Sequence, residues 1–432
     1  MPDTTALSGL AKDVFETGVS EGVNNSFPLS KEFPVEQVDW QGGLGHKWTH
    51  HHGRNVSIFA AGEDSAYPVA GQQLHSQGRI GMTKAIGRIR LTEEAMEDLV
   101  SSEASFRNGM TDEKTRLIDD FARREEQWLG QDGRGILALV NESSLNDTTL
   151  TLDSPGNIAG ADFGNRFIDP NMFVAAINPA NGALRTTVHK VTAAAEDGLT
   201  VTVDSATFTG WADNDYVVQA ANIAVTDVLD TSFDKAPRGL PALIDDSTNL
   251  DNYFGILRSA VSSLKSYVVP SVGALSVDVA QRTADVVFQK LGGKINVLLM
   301  HPSVRREYLK LLSVDRRYAG TDLQSPDGGT TAFTQGDVTI GGVAIKAIRT
   351  IGLAQVYFLD TKQSGFKRYV AEPGKFMDRD GSVWVREGTG TGARHAYEAT
   401  YFARKQYFAK QPGMNARWDG VTGQTLVVVR DL

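Results

Sequence analysis

The apolar residues along the chain fall into stretches of unlike period. Residues 1 to 46 scatter large hydrophobes (Leu10, Val14, Phe15, Phe27, Phe33) among Gly, Ser, Asn, Pro and acids, with no sustained repeat. That pattern predicts an extended arm, which gains stability only against another surface. Over 47–91 the period falls to two: Val56, Ile58 and Ala60 alternate with Asn55, Ser57 and Phe59, and Ile80, Met82, Ile89 and Leu91 follow. The polar stretch 62–77, with Tyr67-Pro68 and Gly71, reads as the tip of a long two-stranded ribbon. A lone ribbon is marginal in water, so it needs support from its own body or from a neighbour.

From Thr92 the period becomes helical. Thr92 before Glu93 and Glu94 predicts a capped N-terminus with acids at the positive end of the dipole. Ala95, Met96, Leu99 and Val100 start an apolar stripe, Asn108-Gly109 bends it, and Leu117, Ile118, Phe121, Trp128 and Leu129 continue it to Gly130-Gln-Asp-Gly133. The expectation is one long, bent helix of about ten turns, within a segment 92–145 that also opens the next lobe. Residues 146–222 read as a small all-β insertion: short β-rich runs are separated by Asn181-Gly182, Asp197-Gly198 and Asp213-Asn214 turns.

The remainder, 223–432, reads as mixed α/β after a connector with Pro237 and Pro241. Ser276 is the expected cap of a helix whose Val277, Ala280, Ala284, Val287, Phe288 and Leu291 share one face, with Gly292-Gly293 stopping it. The apolar run 295–300 predicts a buried central strand. His301-Pro302-Ser303 predicts a second helix start with Ser303 as N-cap. Strands are expected at 338–340, 343–348, 356–359, 366–370, 382–385, 396–408 and 426–429, and no solenoid repeat is visible.

Composition narrows the function classes. A chain of 432 residues with 41% hydrophobic content supports two or three lobes. The absence of cysteine excludes disulfides, thiolate metal sites and a catalytic thiol. With 43 basic against 52 acidic residues the surface repels phosphate on average, which argues against a nucleic-acid reader. The N-terminus lacks the features of a signal peptide and no apolar run reaches ~20 residues, so no membrane partner and cytoplasmic synthesis are expected.

Candidate chemistry is sparse. His46, His50, His51 and His52 lie close together, and on a strand His50 and His52 share a face. No carboxylate or thiol stands at ligand spacing, so solvated or interface histidines are the expected reading and no metal or cofactor is assigned. Asp378-Arg-Asp380-Gly381 resembles the start of a calcium loop but lacks its closing acid, which favours a tight turn. The Gly42–Gly45 and Gly130–Gly135 stretches do not lead from a strand into a helix carrying Lys-Ser/Thr, which leaves a hinge and a C-cap. Ser303 of His301-Pro-Ser303 reads as a helix cap rather than a nucleophile, so no catalytic residue is assigned.

The order of arm, β ribbon, long bent helix ending in a Gly-rich turn, and mixed α/β lobe resembles that of tailed-bacteriophage major capsid proteins with the Hong Kong 97 fold. Gly87-Arg-Ile-Arg-Leu-Thr-Glu-Glu-Ala-Met96, Trp128-Leu-Gly-Gln-Asp-Gly-Arg-Gly-Ile136, Asn252-Tyr-Phe-Gly-Ile-Leu-Arg-Ser259 and Val297-Leu-Leu-Met-His-Pro-Ser-Val-Arg-Arg-Glu-Tyr308 carry the resemblance. It implies an α+β, Hong Kong 97-type capsid fold comprising N-arm, E-loop, spine helix, peripheral and axial domains, with an inserted all-β module. It also implies a non-enzymatic homo-oligomer of hexamers and pentamers in the virion, with portal and scaffolding or decoration partners and packaged DNA held without sequence-specific contact. The short arm beginning at Met1 implies a separate scaffolding protein or none. Lys84 lies in the E-loop region, but no partner Asn or catalytic Glu matches, so no covalent cross-link is assigned. Under this resemblance Gly42, Gly43, Gly45, Asn108 and Gly109 are the expected hinges, and Phe27, Phe33, Val56, Ile58, Tyr67, Ile80 and Met82 the expected inter-subunit contacts. An encapsulin-like shell sharing the fold and, from another class, a soluble α/β hydrolase are the alternatives.

Overall fold

The computed structural model describes residues 29–38, 45–94, 109–141, 147–158, 163–196, 198–205, 208–319, 338–340, 343–378, 382–387 and 395–422. Strand β1 (Val35–Gln37) leads to an antiparallel ribbon, β2 (His46–Gly53) and β3 (Leu74–Ile80), and then to β4 (Thr83–Thr92). Helix α1 (Gly109–Leu129) follows. Its expected first half, 95–108, lies outside the described residues. Val56, Ile58 and Ala60 belong to no ladder, because β2 ends at Gly53 in spite of their alternation.

Six strands then close a barrel in the order β5 (Ile136–Val140), β6 (Thr149–Asp153), β9 (Thr200–Val203), β8 (Leu184–Ala194), β7 (Phe173–Ile177) and β10 (Tyr216–Gln219). The barrel thus begins at Ile136, ten residues before the expected insertion, because β10 pairs with both β5 and β7 to complete the ring. Leu150, Leu152, Val201 and Val203 point inward, and the intervening threonines Thr149, Thr151, Thr200 and Thr202 stay half-exposed.

Beyond it come the short helix α2 (Leu240–Leu243), hairpin β11 (Asn252–Tyr253) and β12 (Ile256–Leu257), β13 (Tyr267–Val269) and β14 (Gly273–Ala274). Helix α3 (Val277–Leu291) buries Ala280, Thr283 and Val287. It ends at Gly292, whose φ of 75° lets its N–H reach the Phe288 carbonyl at 2.8 Å. Ser276 occupies the cap position without a side-chain hydrogen bond. Strand β15 (Val297–Met300) is buried throughout and sits inside a six-stranded sheet. Helix α4 (Pro302–Ala319) follows, and the start of this helix corrects the expectation for Ser303. The Ser303 N–H donates to His301 Nδ1 at 3.2 Å, so the histidine ring caps and Pro302 fills the first helical position.

The remaining strands are β16 (Val338–Ile340), β17 (Val343–Ala347), β18 (Val356–Leu359), β19 (Phe366–Phe376), β20 (Val385–Arg386), β21 (Ala396–Ala409), β22 (Ala416–Trp418) and β23 (Val421–Thr422). The six-stranded sheet runs β13-β22-β18-β15-β17-β16. The other large sheet is built on β21, which pairs with β19, β20 and β4; β1 adds to β19 in parallel. The expected strand 382–385 contributes only Val385–Arg386, and 426–429 lies outside the described residues. No helix among the described residues is long and apolar enough to cross a membrane.

Candidate assembly surfaces

The ribbon is anchored at its base and open at its tip. Trp48 is buried against Tyr253 and Phe408, with ring centroids 5.9 and 5.0 Å away. Gly78 makes the fit possible: a Cβ there would lie 2.4 Å from both the Phe254 carbonyl oxygen and Trp48 Nε1. The Arg79 N–H donates to the Phe254 carbonyl at 2.8 Å, so the Asn252–Leu257 hairpin and the ribbon are joined through backbone. That hairpin turns through Phe254 and Gly255 at positive φ, with the Gly255 N–H donating to Asn252 Oδ1 at 2.8 Å. His50 is buried beside Trp48, 2.7 Å from Ser263 Oγ, and burial, aided by His52 and His51, lowers its pKa to about 4.

Past Gly53 the chain leaves its own body. Val56 is 87% exposed, Ile58 88%, Tyr67 98% and Val69 91%. Residues 59–70 are exposed without a break, and the internal ties of the segment are local, such as Asn55 Nδ2 to the Gly71 carbonyl at 3.1 Å. These four apolar side chains lie in one segment that joins no ladder among the described residues.

No protein-family model matches the chain, and no curated protein matches it in sequence. Among solved structures it is similar to the cyanophage A-1(L) capsid asymmetric unit, at 9% identity and a TM-score of 0.54, over 98% of this chain and 100% of that one. The chain has the fold of a tailed-phage capsid protein. Lower scores relate it to the capsid of the native GTA particle, at 10% identity and 0.49 over 98% and 100% of the two chains. The holo-SrpI encapsulin complex from Synechococcus elongatus scores 0.45 at 10% identity, over 100% and 99%.

Within this capsid fold the expected contact residues separate. Val56, Ile58 and Tyr67 are exposed, and Met82 is half-buried against the central core. Phe33 and Ile80 correct the expectation: they are 2% and 0% exposed in the core of their own chain. Phe33 packs edge-on to Phe366 and Tyr407, because β1 docks its segment on β19. The same docking uses Glu126, whose carboxylate accepts the N–H groups of Leu29 and Ser30 at 2.7 and 2.8 Å; burial still raises its pKa. Phe27, Gly42, Gly43 and Asn108 lie outside the described residues, and Gly109 is the first residue of α1. Gly45 has φ 76° and sits where a Cβ would meet the Ile80 carbonyl at 2.7 Å, a corner that only glycine fills.

Lys84 faces the Phe402 ring from β4, 5.5 Å from its centroid, on the body rather than at the ribbon tip. Asp380 and Gly381 of the calcium-like stretch lie outside the described residues. Gly130 is a close-approach glycine, its Cβ position 2.0 Å from the Thr350 carbonyl, and it ends α1 as expected.

Two buried arginines carry structure that sequence reasoning did not single out. Arg258 and Arg417 bracket Asp245, and both donate to carbonyls around α2: Arg258 to Ala242 and Leu243 at 2.8 and 3.0 Å, Arg417 to Pro241 and Ile244 at 2.8 Å each. Asp245 in turn accepts the N–H groups of Ser247, Asn249 and Leu250. The nearest sequence signal was the Asp245-Asp246-Ser247-Thr248-Asn249 run, a turn-forming composition.

Proposed function

We propose that the chain is a structural, non-enzymatic subunit of a phage head, and that copies assemble into the pentamers and hexamers of an icosahedral shell enclosing DNA. The carrying observation is the segment 54–73, held at the anchored ribbon base while Val56, Ile58, Tyr67 and Val69 stand in water. Covering each such side chain on a neighbour contributes about 1.5–3 kcal/mol, and a closed ring repeats that gain at every subunit. Portal and scaffolding or decoration proteins are the partners of such a shell, and packaged DNA meets it without base-specific contact, in keeping with the net charge of −9. Its place is the virion, after synthesis in the host cytoplasm.

In the same reading Gly42, Gly43, Gly45 and the Asn108-Gly109 step are the hinges that let one sequence serve both ring types, and the barrel lies on the outer face as an ornament or an inter-capsomer contact. Electron microscopy of the purified chain tests the proposal: closed shells support it, and a monodisperse monomer at every protein concentration and salt tried overturns it. Gly109→Pro addresses the hinge separately, with loss of shells expected and wild-type particles refuting that role.

A further inference from the structure

Five of the eight histidines lie on the ribbon: His46, His50, His51 and His52 on β2, and His75 on β3. Three have other contacts. His50 meets Ser263, His52 lies 2.9 Å from Ser76 Oγ, and His46 packs beside Tyr369 with ring centroids 5.4 Å apart. His51 and His75 differ: both are exposed, neither ring hydrogen-bonds another described residue, and they are direct cross-strand partners with ring centroids 4.9 Å apart.

That separation has a chemical meaning. An imidazole nitrogen binds zinc at about 2.0–2.1 Å, which places the ion roughly 3.2 Å from the ring centre. Two ring centres 4.9 Å apart, each at that distance, subtend about 100° at the ion, between octahedral and tetrahedral angles. The separation thus suits one shared ion with the register unchanged, and the 41° between the ring planes requires rotation about the side-chain bonds to turn a nitrogen of each ring toward it.

We infer that His51 and His75 form a two-histidine chelate for a divalent transition ion of the zinc or nickel class. Imidazole nitrogens favour such ions over magnesium or calcium, which take oxygen. No group of three His, Asp or Glu gathers around a common point among the described residues, so water fills the other positions and the ion exchanges. The pair is the last regular rung before the bulge between His51 and Gly53, where the ribbon opens into 54–73. An ion there ties β2 to β3 at the mouth of the exposed segment and fixes their register. The inference does not rest on the shell reading.

Calorimetric titration of the tag-free full chain with zinc, nickel and magnesium chlorides tests it. One saturable site for zinc and nickel, and none for magnesium, is expected. His51→Ala and His75→Ala should each weaken binding by about tenfold or more, with His52→Ala close to wild type. Nickel should also slow hydrogen exchange in β2 and β3 of the wild type and not of His75→Ala. Because both side chains are exposed, the variants keep the fold, which circular dichroism checks. Absence of saturable binding, equal affinity for magnesium, or unchanged affinity in both single variants would overturn the inference.

Discussion

The barrel and the ribbon segment solve the same problem in opposite ways. Each is made of alternating apolar and polar residues too few to form a thick core. The barrel closes on itself, so Leu150, Leu152, Val174, Val191, Val201 and Val217 are buried by their own neighbours and no long edge is left open. The ribbon is secured at Trp48 and Gly78, but among the described residues 54–73 makes only local ties such as Asn55 to Gly71. Alternation alone therefore does not say where a strand finds its partner. A ring of six strands is complete within one molecule, whereas the ribbon past Gly53 is left open among the described residues.

Matched substitutions sharpen this contrast. The largest effect is expected for Val217→Asp, which puts an unpaired carboxylate where exposure is 0%; loss of about 3–5 kcal/mol follows, read as a collapse of the thermal unfolding midpoint. The ribbon base responds to acid instead. With the His50 pKa lowered to about 4, the released ribbon binds a proton that the docked ribbon does not, so docking is strongest above pH ~6.5 and weakens as pH falls toward 4. The slope is about 1.4 kcal/mol per pH unit, visible in Trp48 fluorescence or hydrogen exchange, and a pH-independent ribbon would contradict it. Gly78→Ala should cost about 1–3 kcal/mol by forcing Trp48 and the Phe254 carbonyl apart, measured by urea unfolding. Tyr67→Ala should change subunit stability by less than about 0.5 kcal/mol in the same assay, because that ring touches almost nothing at 98% exposure.

Much of the fold was legible where local signals suffice. Spacing on one face and Gly292 delimited α3, the apolar run 295–300 marked β15, and the turn residues at 181–182 and 213–214 announced an all-β module. What stayed hidden depends on distant partners. The β4–β21 pairing joins Thr83 to Lys405 and Thr92 to Ala396, and no local period reports it. Ile136–Val140 reads as any apolar run until β10 returns to pair with it. Phe33 and Ile80 look like stray hydrophobes in polar surroundings and are buried by remote strands, whereas Val56, Ile58 and Tyr67 are exposed. The histidine pair was half visible: His51 stood in the cluster, but His75 joins it only through register.

The size distribution of the purified protein, compared between wild type and a Val56→Asp, Tyr67→Asp double variant of equal unfolding midpoint, tests most directly whether the exposed segment is completed by sister copies. Wild type should form megadalton particles by mass photometry while the variant remains a folded subunit. Particles of equal size and yield from the variant would contradict it.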